Sequence, residues 1–406
     1  YVQSPEKLAR LRVNIQKASL NGIPVVQIAE AITTAVGGKT VDLAHLSEEY
    51  EPVEILLRLP KEVRKLGAKR AFLVTTPSIK SKTDLAHKVE ESLGKLWVGS
   101  FAESKQHTPS RVVSKAIAKA REARADLLVS LGGGSVIDTA KLVALALSKE
   151  TEKAILHVAI STTLSAAEYT DAAEMTDERK KRKRLRRDAR MTPRVVILDP
   201  EVTLPTPGWL WASTGVKALD IAMEHIYSTN SLPLADALAA KAINLLTKYI
   251  PKSLEDLDDL YARSQCQMGA WASVFGGFNN GAGLSCALGQ HLEARWNIPH
   301  GVTSCLTQPH VMRFLAPATL SRQSLIAEAM ELNTRRMSPK RAAEAAALSV
   351  ERLIERLEQR RRLREFGLRN SDLKDLIDAL PEKVIQACPR PIDGREELYG
   401  MLKEAW

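Results

Sequence analysis

The sequence predicts an α/β domain with a doubly wound parallel sheet, followed by an all-helical domain. From Glu51 onward, short apolar segments with strand character alternate with segments of helical periodicity, the pattern of a parallel sheet covered by helices. A glycine run, Gly132 to Gly134, separates one such strand from the helix that follows it. After Pro207 only helical periodicity is found. With 406 residues, the chain is long enough for residues 51–205 and 206–406 to form separate domains.

Residues 1–50 precede this pattern. Leu8, Leu11 and Ile15 recur at helical spacing, as do Ile28 and Ile32, so two amphipathic helices are expected. This helical extension is either an interaction or dimerisation element or a segment packed on the main body.

Five strands are expected in the α/β domain. They are predicted at Arg70 to Thr75, Leu96 to Phe101, Asp126 to Leu131, Ile155 to Ile160 and Arg194 to Leu198. Helices are predicted between them, at Pro60 to Leu66, Ser81 to Leu93, Ser110 to Ala123 and from Ser135 onward. Polar residues collect where strands end, namely Thr75, Thr76, Ser78, Thr162, Thr163 and Ser165. Because parallel strands present their carboxyl ends at one edge, we expect a ligand there.

The glycine run joins a buried strand to a helix. Glycine lets backbone N–H groups approach an anion closely, and the positive end of a helix favours phosphate. Gly132, Gly133, Gly134 and Ser135 therefore indicate a phosphate site, whereas taken alone they fit an ordinary tight turn equally well.

The composition narrows the class of protein. The net charge of +10 comes largely from residues 179–190, of which nine are Lys or Arg. Without interleaved aromatic residues, this run is expected to be a solvated, mobile loop rather than a nucleic-acid site. No apolar run is long enough to span a membrane, and four scattered cysteines form no disulfide pattern. We expect a cytoplasmic protein that acts on a small molecule.

Several motifs resemble one enzyme family over residues 51–406. They are Gly132 to Lys141, Ser161 to Thr170, Asp199-Pro200, Thr214-Gly215 and Pro299-His300-Gly301. Together they resemble the superfamily of iron-containing alcohol dehydrogenases and maleylacetate reductases, whose architecture is dehydroquinate synthase-like. The resemblance implies a homodimer that binds NADH or NADPH through the three polar turns and Asp138. No acidic residue follows the first strand, so the choice between NADH and NADPH stays open.

The family's metal ligands are mostly replaced. Metal-dependent members use one Asp and three His, and the resemblance places these positions on Lys217, Ile221, Cys286 and His300. The family's pocket histidine falls on Gln290. A lysine would repel a cation, so no metal is expected. Asp220 and Glu224 share one helix face, but His225 is rotated away from it, so these residues are not expected to rebuild the site.

Four residues are the catalytic candidates: Lys217, Asp220, Gln290 and His300. Lys217 either supplies a fixed positive charge to a developing anion or is a structural lysine paired with Asp220 or Glu224. A desolvated lysine could also form a Schiff base. His300 is either a proton donor or a helix-capping histidine.

Two functions fit these residues. The favoured hypothesis is a metal-independent NAD(P)H-dependent oxidoreductase that reduces a carbonyl or polarised alkene of a small anionic substrate, in the manner of maleylacetate reductase. The alternative is a non-redox lyase, cyclase or isomerase, or a pseudoenzyme, with Lys217 at its centre.

Overall fold

We describe the protein from a computed structural model, which covers residues 55–179, 182–275 and 283–406. The helices expected within residues 1–50 lie outside these ranges. In the described part of the chain, no helix combines the length and apolar character that crossing a membrane requires.

A five-stranded parallel sheet forms the centre of the N-terminal half. Its strands are β1 (Ala71–Val74), β2 (Trp97–Phe101), β3 (Leu127–Gly132), β4 (Leu156–Ser161) and β7 (Val195–Ile197), in the order β2-β1-β3-β4-β7. All five predicted strands are therefore present, with ends that differ by at most one residue.

Helices cover both faces of the sheet. They are α1 (Ile55–Lys65), α2 (Pro77–Lys82), α3 (Leu85–Leu93), α4 (Ser110–Glu122) and α5 (Gly134–Thr151). Side chains alternate across β3, so Leu127 and Val129 pack towards α1 and α3, while Leu128 packs towards α4 and α5. This alternation confirms the doubly wound arrangement. The single helix expected over Ser81 to Leu93 is instead two, since Thr83 is extended and ends α2.

The strand order places a crevice between β1 and β3. Chain connections leave β1 towards β2 on one side and β3 towards β4 on the other, which makes this the switch point of the sheet. Thr75 follows β1 here, and the glycine turn follows β3. Ligands of open parallel sheets bind at such a crevice, so the topology puts the candidate site there.

The basic segment does not form the loop that was expected. Strands β5 (Ala172–Asp177) and β6 (Arg182–Arg187) pair as an antiparallel hairpin, with Glu174 opposite Leu185. The alternation of a strand sends Lys183 inward, where its side chain is only 11% exposed, while Arg184 and Arg186 stay exposed. The high charge density of the segment obscured this alternation in the sequence; Lys183 differs from the exposed arginines beside it because it pairs with Glu174 and Glu293.

Helices make up the C-terminal half. They are α6 (Gly208–Tyr227), α7 (Pro233–Glu255), α8 (Leu260–Val274), α9 (Leu284–Trp296), α10 (His300–Ala329), α11 (Pro339–Arg356), α12 (Asp372–Asp378), α13 (Glu382–Gln386) and α14 (Arg395–Ala405). Periodicity predicts separate helices over Gly301 to Phe314 and over Leu320 to Met330, and the structure agrees, because non-helical backbone at Thr319, after Pro317, divides α10 into two helices joined by a kink. Periodicity also predicts one helix over Pro339 to Phe366, which is wrong at its end, because α11 ends at Arg356.

Buried Lys141 of α5 fixes the segment that leads into the hairpin. Its ammonium group donates hydrogen bonds to the carbonyl oxygens of Ala167 and Ala172, at 2.5 and 2.8 Å, and to the Thr170 hydroxyl at 3.0 Å. Burial lowers its pKa to about 8, against the opposing effect of Asp138. The lysine thus supplies donors to carbonyl groups of the partly buried segment that connects the 3-10 turn Ala167–Tyr169 with the start of β5.

We expect Lys141→Met to lower the free energy of unfolding by about 2–4 kcal/mol, because it leaves buried carbonyl groups without their donor. Urea unfolding followed by circular dichroism measures this. The matched control is Lys149→Met on the exposed side of the same helix, for which a change within about 0.5 kcal/mol is expected. Equal effects of the two substitutions would show that the Lys141 contacts contribute nothing.

Candidate active site

The glycine turn between β3 and α5 packs closely against the loop that follows β4. A Cβ atom at Gly133 would lie 2.8 Å from the Thr163 side chain, so no larger residue fits without displacing that loop. The amide of Thr162 donates to the carbonyl oxygen of Gly132 at 3.1 Å. Gly132 has a φ of +154°, a conformation that other residues rarely adopt. The turn and the loop therefore form one rigid unit at the start of α5.

This unit has the features of a pyrophosphate site. The first amides of α5 point out of its N-terminus, where the helix dipole favours negative charge. The Thr163 hydroxyl is buried beside Gly133 and has no hydrogen-bond partner among the described residues. A buried hydroxyl without a partner next to such a helix end fits an anionic ligand. The predicted residues Gly132, Gly133, Gly134, Ser135, Thr162, Thr163 and Ser165 are brought together here.

The other predicted cofactor residues make bonds within the protein. Thr75 donates to the carbonyl oxygen of Leu131 at 2.8 Å and joins the ends of β1 and β3. Thr76 caps α2, and its hydroxyl lies 3.0 Å from that of Ser78. Asp138 accepts a hydrogen bond from the amide of Glu174 at 3.0 Å. Burial raises the Asp138 pKa to about 6. Their contact with a cofactor stays a prediction.

A second group of polar residues lies buried in the helical domain, around Lys217 of α6. Its Nζ atom is 2.7 Å from Cys286 Sγ and 3.3 Å from Asp220 Oδ2. Asp220 Oδ2 also accepts hydrogen bonds from Ser285 and Ser304, at 3.0 and 2.5 Å. We call Lys217, Asp220, Ser285, Cys286 and Ser304 the lysine cluster.

The lysine cluster keeps its ammonium charged. Burial alone would lower the Lys217 pKa, but Cys286, Asp220 and Glu224 outweigh burial and raise it. Burial raises the pKa of the Cys286 thiol well above its usual range. We therefore assign Lys217 as an ammonium and Cys286 as a neutral thiol. The ammonium donates a hydrogen bond to the sulfur, and Asp220 balances its charge.

Glu224 closes the cluster from one helical turn beyond Asp220. Its carboxylate accepts hydrogen bonds from the amides of Gly283 and Cys286, at 3.2 and 3.1 Å. It thereby caps the start of α9 and positions Cys286 beside Lys217. Burial and the neighbouring Asp220 raise the Glu224 pKa to about 7.

The residues at the expected metal position do not fit a metal ion. Ile221 offers no donor atom, and the Lys217 ammonium occupies the space beside Cys286. His300 is bonded to Glu293 and is a residue of the next cluster. Within residues 55–179, 182–275 and 283–406, no three His, Cys, Asp or Glu side chains are grouped so that they could hold a metal.

Glu293 of α9 connects two histidines from the two halves of the chain. Its carboxylate lies 2.5 Å from His107 Nδ1 and 2.8 Å from His300 Nδ1. His107 precedes α4, and Thr108 contacts the backbone of Ser135 at the start of α5. His300 keeps 40% of its side chain exposed. The predicted proton donor, His300, is thus hydrogen-bonded to a buried carboxylate near the glycine turn.

Lys183 of the hairpin pairs with Glu293 and with Glu174. Gln290 donates a hydrogen bond to Glu174 at 2.9 Å. The bridging cluster of His107, Glu174, Lys183, Glu293 and His300 therefore joins the hairpin, the loop before α4 and the helical domain. Burial opposes ionisation of Glu293, but His300, His107 and Lys183 outweigh it and hold its pKa well below the usual range.

The sequence prediction missed part of this arrangement. The sequence predicts structural roles for His107 and His157 but not that His107 is a member of the bridging cluster, with its Nε2 buried and without a partner in the described part of the chain. Its φ of +64° and that of Thr108, +47°, are strained for residues other than glycine. The order His-Thr-Pro carried no signal of this strain. His157, also interpreted as structural, bonds Ser130 at 2.7 Å, and burial lowers its pKa to about 3.

Family models match both halves of the chain. The model described as iron-containing alcohol dehydrogenase matches residues 53–200. That of the C-terminal part of the Fe-containing alcohol dehydrogenase family matches residues 211–406.

Individual relatives agree with these matches. The NAD-dependent methanol dehydrogenase of Bacillus methanolicus is 30% identical, over 81% of this chain and 90% of its own. Maleylacetate reductase 2 of Cupriavidus pinatubonensis is 33% identical, over 70% and 78%. A putative alcohol dehydrogenase structure from Ralstonia eutropha superposes with a TM-score of 0.77 at 31% identity, over 90% and 97%. For maleylacetate reductase from a Rhizobium strain, the TM-score is 0.73 at 26% identity, over 86% and 93%.

We expect Glu293→Gln to lower the free energy of unfolding by about 3–5 kcal/mol at pH 7, since it leaves buried Lys183 with one carboxylate fewer. The native pKa of Glu293 lies below its ordinary value of 4.5. Its contribution is therefore complete above pH 4.5 and is lost as the pH falls through the native pKa.

Urea unfolding at pH 7 and at pH 3–4 tests both parts, with exposed Glu344→Gln as the control. A difference between wild type and Glu293→Gln that grows as the pH falls would contradict the assignment of an ionised Glu293.

Proposed function

The chain belongs to the iron-containing alcohol dehydrogenase family, and we propose that it reduces a small anionic substrate without a metal ion. As a member of that family it is an NAD(P)-dependent oxidoreductase. Several relatives are maleylacetate reductases by name. We propose a substrate of related chemistry, a carbonyl or polarised alkene close to a carboxylate.

The cofactor, when bound, supplies the hydride. The glycine turn and the loop after β4 would hold its pyrophosphate at the N-terminus of α5, as argued above from the unpartnered Thr163 hydroxyl and the close packing at Gly133. Because these residues are rigidly packed, they orient the cofactor rather than adapt to it.

The observation that carries the proposal is the buried ammonium of Lys217. Hydride addition to a carbonyl or an activated alkene builds negative charge on oxygen, and a fixed cation in a site of low dielectric stabilises that charge. Asp220 contacts the cation directly, and Ser285 and Ser304 donate hydrogen bonds that hold Asp220 in place. Lys217 would thus do electrostatically what a metal does as a Lewis acid.

His300 is the proposed proton donor. Its Nδ1 atom is hydrogen-bonded to Glu293, so its Nε2 atom is the nitrogen free to exchange a proton with substrate. The partial exposure of His300 lets it exchange that proton with solvent. Glu293 orients the imidazole, as carboxylates do for catalytic histidines.

One observation favours the non-redox alternative. Lys217 already has a carboxylate and a thiol as partners, and these would serve equally well to position an amine for addition to a carbonyl. Binding of nicotinamide cofactors separates the two functions, because a non-redox enzyme or a pseudoenzyme has no need of them.

We expect the wild-type protein to bind NADPH or NADH with micromolar affinity and to oxidise it in the presence of maleylacetate. Lys217→Met should lower turnover by about 100-fold, the usual effect of removing one group that stabilises a developing anion. Its affinity for the dinucleotide should not change. Tryptophan fluorescence measures binding, and absorbance of the reduced nicotinamide measures turnover.

Two controls make this test decisive. Lys248→Met removes an exposed lysine from α7 and should leave turnover unchanged, and Lys217→Arg should retain more activity than Lys217→Met because it keeps the charge. Failure of the folded wild-type protein to bind either nucleotide would overturn the oxidoreductase proposal. Normal turnover by Lys217→Met would overturn the role of the ammonium.

A further inference from the structure

The contact between Lys217 and Cys286 is unusually close. Nζ and Sγ are 2.7 Å apart, a separation typical of the shorter N–H···O hydrogen bonds, although sulfur is larger than oxygen. The two residues come from different helices, α6 and α9. Glu224 holds the Cys286 backbone from α6, and Asp220 holds the ammonium, so the approach is fixed on both sides.

Cys286 differs from the other cysteines in the described part of the chain. Cys266 and Cys305 are fully buried, while Cys286 and Cys388 are partly exposed. Cys388 lies near Arg390, whose guanidinium is not a nucleophile. Cys286 therefore combines access for a small oxidant with an amine in direct contact.

From this geometry we propose that Lys217 and Cys286 are a redox modification site, in which hydrogen peroxide joins Nζ and Sγ through one oxygen atom as a covalent N–O–S bridge. In other proteins, cysteine sulfenic acids condense with thiols and with backbone nitrogen. Here the nearest nucleophile to the sulfur is a lysine amine.

The reaction balances in two steps. One peroxide transfers an oxygen atom to the thiol sulfur, which forms the S–O bond of a sulfenic acid, and the other oxygen leaves as water. A second peroxide accepts two electrons as the N–O bond forms between the amine and the sulfenic oxygen, and two waters leave. In total, one amine, one thiol and two peroxides give the bridge and three waters, with nitrogen and sulfur oxidised and peroxide oxygen reduced.

Proton acceptors stand beside both reacting groups. Glu224 accepts a hydrogen bond from the Cys286 backbone amide, which places its carboxylate near the thiol, and its raised pKa of about 7 suits it to take the thiol proton near neutrality. Asp220 contacts the ammonium, and its Oδ1 atom has no partner among the described residues. The pair can therefore reach the thiolate and free amine that the reaction consumes, although each is protonated at rest.

The bridge would switch the enzyme off, a consequence that rests on the proposed function. A nitrogen bonded to oxygen is far less basic than an amine, so the bridged Lys217 loses its positive charge. Two equivalents of a dithiol would supply the four electrons that restore both side chains: one pair cleaves the S–O bond and the other cleaves the N–O bond, and the bridging oxygen leaves as water.

The test uses the full-length protein, treated with hydrogen peroxide and analysed by mass spectrometry before and after dithiothreitol. We expect one new species heavier by one oxygen and lighter by two hydrogens, in which the peptides containing Lys217 and Cys286 are joined. Dithiothreitol should return the original mass. Cys286→Ser and Lys217→Arg should each abolish the species, while Cys388→Ser should retain it.

Oxidation of Cys286 to sulfenic or sulfinic acid with the Lys217 peptide unattached would overturn the proposal, as would a Cys286 that stays reduced while Cys388 oxidises. This readout needs no substrate, so it stands apart from the proposed function. If the bridge forms and dithiothreitol restores turnover, loss of turnover on oxidation supports the switch. A bridged enzyme with full activity would refute the switch alone.

Discussion

The buried ammonium of Lys217 is the charge on which the helical half of the site depends. A cation without solvent requires a compensating anion and hydrogen-bond acceptors, and the surrounding helices supply them through Asp220 and Cys286. Ser285 and Ser304 in turn donate hydrogen bonds to one oxygen of that carboxylate, Oδ2. The buried charge thus accounts for the convergence of polar side chains from α6, α9 and α10 around it.

A second constraint joins the helical domain to the glycine turn. Glu293 contacts a histidine from each half of the chain, and Lys183 adds the hairpin to the same carboxylate. The basic segment contributes much of the net charge, and its residue Lys183 also has a structural role in the bridging cluster. Orientation of His300 and attachment of the hairpin depend on the same buried anion, so we infer that they change together.

Periodicity and glycine placement were enough to predict the sheet, the double winding and the helical second half, because these depend on burial patterns local to each element. The Lys217 position was found through the resemblance to a metal-dependent family, while its contact with Cys286 joins residues 69 positions apart. The bridging cluster was missed for the same reason, since Glu293 and His107 meet only through the fold. The hairpin was missed because its charged residues obscured a period of two.

The central claim is that a lysine does the work of the family's metal. The most direct measurement is the rate of NADPH or NADH oxidation with maleylacetate, taken after exhaustive chelation and again after adding Fe²⁺ or Zn²⁺, together with the metal content of the active protein. We expect activity that chelation does not reduce and metal does not increase, in protein with far less than one metal per chain. Activity that disappears on chelation and returns with the metal would contradict it.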